Sequence, residues 1–245
     1  MLKELFEHIQ HTAQPIIHKE GETTFVVTTN GVVEELIPTI DLPHPDTLPL
    51  NSLDALVKLV RTEAANMDSP LYITIPSHLT VRCFGQPDPD ARYFRQVYYE
   101  AKATDVPGWG ESVEMGFEEM QIALRTRFQE TADAVYAMKL LSDISTGSKV
   151  TFNNSGIATS VTAQKGVALQ TNEAIRPIVT LRPYRTFQEV EQPESIFLIR
   201  VNERGISFTE ADGGMWKLHA REIVKAFLEE KLADLVASDA VYIAL

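Results

Sequence analysis

Apolar residues recur at helical spacing in three stretches of this chain. In Ser52–Ala65 the positions Leu53, Leu56, Val57 and Val60 follow Ser52, whose hydroxyl is placed to cap a helix start, so the spacing predicts a core-facing helix. From Ser112 to Ile144 one set runs through Phe117, Met120, Leu124 and Phe128, and a second through Val135, Met138, Leu141 and Ile144. The break at Thr131 predicts two helices or one bent helix, closed at Gly147. From Leu218 onward Ile223, Val224, Phe227, Leu228, Leu232, Leu235 and Val236 trace a stripe long enough for an extended C-terminal helix, serving as core or as an oligomer seam.

Strand patterns fill the intervals. Thr23–Thr28 and Val32–Leu36 flank Asn30-Gly31, a strong hairpin signal. Leu71–Ile75 and Leu79–Phe84 straddle Pro76, Tyr93–Ala103 carries Val97, Tyr98 and Tyr99, and Pro87 with Pro89 marks the turn between. Further strands are expected at Lys149–Phe152, Ile157–Ala163, Ile178–Leu181, Ser195–Val201 and Gly205–Thr209. This order, β-rich, helical, β-rich and helical again, favours an α+β fold with three or four amphipathic helices over a regular alternating sheet. Pro38–Pro49 reads as a linker or wrapped arm, and Val106–Gly110 as a second boundary. Two regions are expected, an acidic α+β region over residues 1–110 and a helix pair, β-rich unit and C-terminal helix over 111–245, the two being separate domains or one continuous domain.

Charge changes this picture. Residues 1–120 carry 8 Lys+Arg against 19 Asp+Glu, a net −11, whereas residues 121–245 carry 14 against 15, a net −1. Such an acidic front half excludes sequence-independent coating of DNA or RNA, which depends on releasing counterions to many basic side chains. It serves solubility or offers an acidic face to a protein. The single cysteine, Cys83, allows no internal disulfide and lies in a strand-like run, as a buried small hydrophobe does. The segment MLKELFEHIQHTA lacks the basic start and apolar stretch of a secretory signal, and no apolar run is long enough for a membrane span, so a cytoplasmic location is expected.

Catalytic motifs are mostly absent. Thr146-Gly147-Ser148-Lys149 lacks the glycine spacing of a phosphate loop. The six histidines form no metal-binding pattern, Gly-x-Ser-x-Gly does not occur, and Asn153-Asn154-Ser155 reads as a turn. No cofactor and no metal are expected.

What remains is the segment from Ile178 to Val224. Arg182, Arg185, Arg200 and Arg204 lie near Glu189, Glu191, Glu194, Glu203 and Glu210, so the simplest account is a lattice of ion pairs fixing two strands. The functional account makes Arg182 and Arg185, which bracket Tyr184, a holder for a planar or anionic ligand, because guanidinium groups fork onto phosphate and stack on rings. Arg200 and Lys217 extend that candidate ligand site. Asp212, before Gly213-Gly214, is placed to cap a helix or end a strand, and Trp216 to anchor the helix start to a sheet.

The order Leu-Arg-Pro-Tyr-Arg-Thr-Phe-Gln-Glu-Val at 181–190, with Gln192-Pro193-Glu194-Ser195 and Glu210-Ala211-Asp212-Gly213-Gly214-Met215-Trp216-Lys217, resembles uncharacterised phage and prophage proteins, the YfdQ-like family among them. The resemblance is best from Phe117 to Leu232 and implies a phage setting and an accessory role, with no catalytic residues to carry over. Three functions stay open: a non-catalytic, self-associating phage protein that binds a host or phage macromolecule, an oligomeric sponge for a small anionic nucleotide that blunts host defence, and a metal-dependent hydrolase using Asp88, Asp90 and Asp212. Homo-oligomerisation is expected because apolar Val241–Leu245 would otherwise be an exposed patch.

Overall fold

The computed structural model describes residues 16–20, 23–27, 32–35, 46–88, 93–146, 149–155, 158–165, 168–174, 176–202 and 205–245. Contacts divide the chain into the units Met1–His44 and Pro45–Leu245. In the first, β1 (Ile16–Glu20), β2 (Thr23–Val27) and β3 (Val33–Glu35) pair antiparallel in sequence order. Val27 sits opposite Val33, the register of the hairpin expected around Asn30-Gly31, whose turn residues lie outside the described ones.

The second unit has a mixed α+β fold. It begins with β4 (Leu48–Leu50), α1 (Leu53–Asn66), β5 (Leu71–Ser77), β6 (Thr80–Asp88) and β7 (Phe94–Lys102). Ser52 Oγ accepts the Ala55 N–H, so α1 starts where its cap predicts, and Leu53, Leu56 and Val60 are buried. Strand β4 comes from the end of the stretch expected as a linker and pairs parallel with β7, where the Thr47 hydroxyl donates to Val97 O.

Residues 112–146 hold the two helices expected there, with two short strands the pattern did not show. They hold β8 (Ser112–Met115), α2 (Phe117–Arg127), the short β9 (Phe128–Gln129) and α3 (Ala132–Thr146). The buried stripe of α3 runs through Ala134, Ala137, Leu141 and Ile144, leaving Val135 46 % exposed. Alanines facing the sheet set its phase. Gly147 lies outside the described residues.

Strands β10 (Lys149–Ser155), β11 (Ala158–Lys165) and β12 (Ala168–Ala174) form an antiparallel sheet. Asn153-Asn154-Ser155, expected as a turn, is strand here because β11 supplies a full ladder opposite it. The chain continues as β13 (Ile178–Pro183), β14 (Ser195–Asn202), β15 (Gly205–Glu210), α4 (Trp216–Lys231), α5 (Ala233–Ala237) and β16 (Val241–Ala244).

Two five-stranded sheets carry the cores. One has the order β8-β15-β14-β13-β9 and packs Val179, Leu181, Phe197, Ile199, Ile206 and Phe208 against Met120, Leu124 and Leu141 of α2 and α3. Trp109, from the expected boundary Val106–Gly110, is buried in this core edge-on to Phe128. The other has the order β16-β5-β6-β7-β4 and packs Leu71, Ile73, Val81 and Cys83 against Leu56 of α1 and Val224 and Leu228 of α4. Arg61 of α1 binds Asp234 of α5 and Lys231 O, tying the two helical segments together.

Apolar Val241–Leu245 is therefore not a bare patch. β16 pairs parallel with β5, placing Val241 in the core, while Tyr242 remains 45 % exposed. Among the described residues no helix is long and apolar enough to cross a membrane.

Candidate functional site

The connection from β13 to β14 builds the site. Pro183 lacks an N–H to continue the ladder, and the chain leaves the sheet with Tyr184 N–H on Arg127 O and Gly108 N–H on Tyr184 O. Phe187 and Val190 then enter the core of the other sheet. A buried loop must satisfy its backbone, and buried Gln192 does most of this. Its Oε1 accepts the Arg185 and Thr186 N–H groups, and its Nε2 donates to Phe187 O and Val190 O. The Thr186 hydroxyl donates to His78 O at the β5–β6 turn.

Arg185 lies at the centre of this joint with 2 % of its side chain exposed, in an ion pair with Glu210, itself 8 % exposed. Its Nη1 donates to Ser195 Oγ at 3.2 Å, and its Cζ lies 4.4 Å from the Trp216 ring centre and 5.4 Å from that of Phe197. Trp216 Nε1 donates to Glu210 Oε2 at 3.2 Å, so the indole holds the carboxylate that neutralises the arginine stacked on it. Arg185 Nη2 touches Glu210 without hydrogen-bond alignment, and Arg185 Nε and Asp212 Oδ2 are buried with no partner. Burial pulls the Arg185 guanidinium below its ordinary value, and Glu210 and Asp212 pull it back up. His78 packs edge-on to Trp216 at 4.8 Å, and its pKa is lowered by burial, then by Lys217 and Arg185.

Of the residues singled out from the sequence, Arg185, Asp212, Trp216 and Lys217 come together here. The Lys217 Nζ lies 5.6 Å from the Trp216 ring. Asp212 does not cap α4: its Oδ1 accepts the Gly214 N–H and shapes a turn in which Gly213 and Gly214 take positive φ. Arg182 and Arg200 point to the opposite face of their sheet. Arg182 is bound by Glu194 at 2.8 Å and contacts Glu191, whereas Arg200 is exposed opposite Ser207. Tyr184 is half-buried on the connecting loop. Both guanidinium groups are paired with carboxylates and separated by the sheet, as in the ion-pair account of this segment; a planar or anionic ligand held between Arg182 and Arg185 would have to displace those partners. Ser195, Gln192 and His78 complete the joint without a sequence signal beyond their polarity.

Two surfaces lie outside the sequence reading. A cleft of about 330 Å³ is bordered by Asn51, Thr104, Asp105, Phe187 and Glu189. Glu189 accepts the Leu53 N–H at the start of α1, so a carboxylate of the chain itself fills that helix terminus. The outward face of the second sheet carries a row of planar groups: Arg95 Cζ lies 4.3 Å above the Tyr72 ring, and Tyr72 stacks on Tyr242 with centres 5.5 Å apart. Among the described residues no group of three His, Cys, Asp or Glu side chains could hold a metal, and Asp90 of the hydrolase reading lies outside them.

No family model, no curated protein and no solved structure matches this chain.

Proposed function

We propose that the protein works by binding, as a non-catalytic, self-associating accessory protein that engages a host or phage macromolecule. A phage or prophage origin is supported by the resemblance of its second half, and a cytoplasmic place by the lack of a secretory pattern in MLKELFEHIQHTA. The observation that carries the reading is the sheet β16-β5-β6-β7-β4, whose edge strand β16 has no outer neighbour among the described residues and carries no charge. Natural sheets protect such edges with lysine, proline or a covering element unless another chain uses them. The nucleotide-sponge alternative loses its best support, because Arg182 and Arg185 are paired with carboxylates of the chain.

Light scattering coupled to size exclusion tests the reading. A particle mass that is a multiple of the 27.4 kDa subunit at micromolar concentration is expected. One subunit mass across that range removes self-association.

A further inference from the structure

We infer that two copies of this chain join edge to edge through β16, antiparallel, about a two-fold axis at Tyr242. The inference rests on the self-association proposed above and assigns it a place and a register.

Backbone direction sets the geometry. Leu71 N–H donates to Ala240 O, so the Ala240 carbonyl faces β5, and the parallel register pairs Val241 with Leu71 and Ile243 with Ile73. Along a strand successive residues turn their N–H and C=O to opposite sides. Tyr242 therefore spends both groups on β5, while those of Val241 and Ile243 face the open edge. A second copy laid antiparallel satisfies them when its Ile243 lies opposite Val241 and its Val241 opposite Ile243. That register puts the two Tyr242 residues opposite each other as a non-hydrogen-bonded pair, the kind in which side chains approach most closely.

The sequence is self-complementary about the same point. Ala240-Val241-Tyr242-Ile243-Ala244 reads small, β-branched, aromatic, β-branched, small in either direction, as an isologous contact requires. Centring the axis on Ile243 instead would set Tyr242 against Ala244. The row Arg95, Tyr72, Tyr242 ends abruptly at the edge, and the proposed pairing continues it into the same row of the second copy, adding cross-strand aromatic contact.

Charge points the same way. Each chain carries a formal −12, so two copies repel unless they meet where charge is absent, and residues 240–245 include no Asp, Glu, Lys, Arg or His. The opposite edge strand, β4, contains Pro49 and is less suited to pairing. An edge this short buries an area at the low end of specific interfaces, below about 1,200 Å², so a micromolar, concentration-dependent dimer is expected.

Cysteine scanning of the full chain decides the register. Oxidised Tyr242→Cys should give a covalent dimer, because Cα atoms of a non-hydrogen-bonded pair lie about 4.5 Å apart, within disulfide range. Ala244→Cys should not, since its equivalent lies several residues away along the partner strand. Cys83 is buried and does not compete. Ile243→Pro should raise the dissociation constant at least tenfold by sedimentation, because it removes an outward N–H without touching the β5 ladder; circular dichroism confirms its fold, and the cysteine pair decides alone if it misfolds. Equal cross-linking of both cysteine variants, no cross-linking of Tyr242→Cys in a dimeric sample, or an unchanged constant for folded Ile243→Pro overturns the β16 interface and leaves self-association standing. A wild type that stays monomeric at every concentration overturns both.

Discussion

Replacing Arg185 with methionine separates a structural arginine from a ligand-binding one. Methionine keeps an aliphatic stem against Trp216 and Phe197 but removes the guanidinium, leaving Glu210, 8 % exposed, with the Trp216 Nε1 hydrogen bond as its remaining described partner. Deleting one member of a buried pair costs about 3–5 kcal/mol, mostly the penalty of the charge left behind. The retained packing puts Arg185→Met near the lower end, about 3 kcal/mol. With a urea m-value of about 2–3 kcal/mol/M, the midpoint should fall by about 1–1.5 M with m unchanged. Adding Glu210→Gln removes the stranded charge and should recover about half of the loss. Urea unfolding followed by tryptophan fluorescence measures both. A loss below about 1 kcal/mol, or a double variant no more stable than the single one, would refute the buried-pair reasoning. Calorimetric titration with linear and cyclic nucleotides should show binding by neither wild type nor Arg185→Met; micromolar binding confined to wild type would restore the anion-site account.

Three further outcomes are expected. Because the folded-state pKa of His78 is lowered, the unfolded chain takes up a proton that the folded chain refuses as pH falls below about 6.5; this stability is complete above that pH and declines below it, so the melting temperature should drop between about pH 7 and 5, and less steeply in His78→Asn. Burial pushes the Cys83 thiol up to about 12, with Glu63 adding to it, so an alkylating reagent at about pH 8 should label the native protein far more slowly than the urea-unfolded chain; equal rates would contradict the burial. A Cβ at Gly205 would collide with Met115 O on the neighbouring strand, so Gly205→Ala should destabilise by about 1–3 kcal/mol in the same urea assay, and a neutral result would show that β8 and β15 are not in close contact.

Local patterns were legible where local physics decides. Leu53, Leu56 and Val60 behind a serine cap specify α1 because spacing and cap lie within one segment. The strands β5, β6, β7, β13, β14 and β15 were readable from β-branched and aromatic runs. The phase of α3 was not, because Ala134 and Ala137 give little hydropathic contrast although they pack the core. Nor was β16, a short apolar run whose pairing to Leu71–Thr74 depends on contacts across most of the chain. The candidate site shows the same division. Arg182 and Arg185 look equivalent in Arg-Pro-Tyr-Arg, yet Pro183 ends the ladder between them. Arg182 stays on the outer face with Glu191 and Glu194, and Arg185 turns inward to Glu210, a partner supplied by a distant strand.

The β13–β14 connection also bears on how the molecule opens. Phe187 and Val190 leave one sheet to fill the core of the other, while Gln192 holds their carbonyls and the Arg185 amide in place. The core of the sheet β16-β5-β6-β7-β4 cannot be solvated without withdrawing this plug, and withdrawing it pulls on the loop that holds Arg185 against Glu210 beside the other sheet. Opening of that core alone is therefore expected to be rare. Slow amide exchange in β6 and in β14 should converge on one opening free energy, with Pro45–Leu245 behaving as a single cooperative unit.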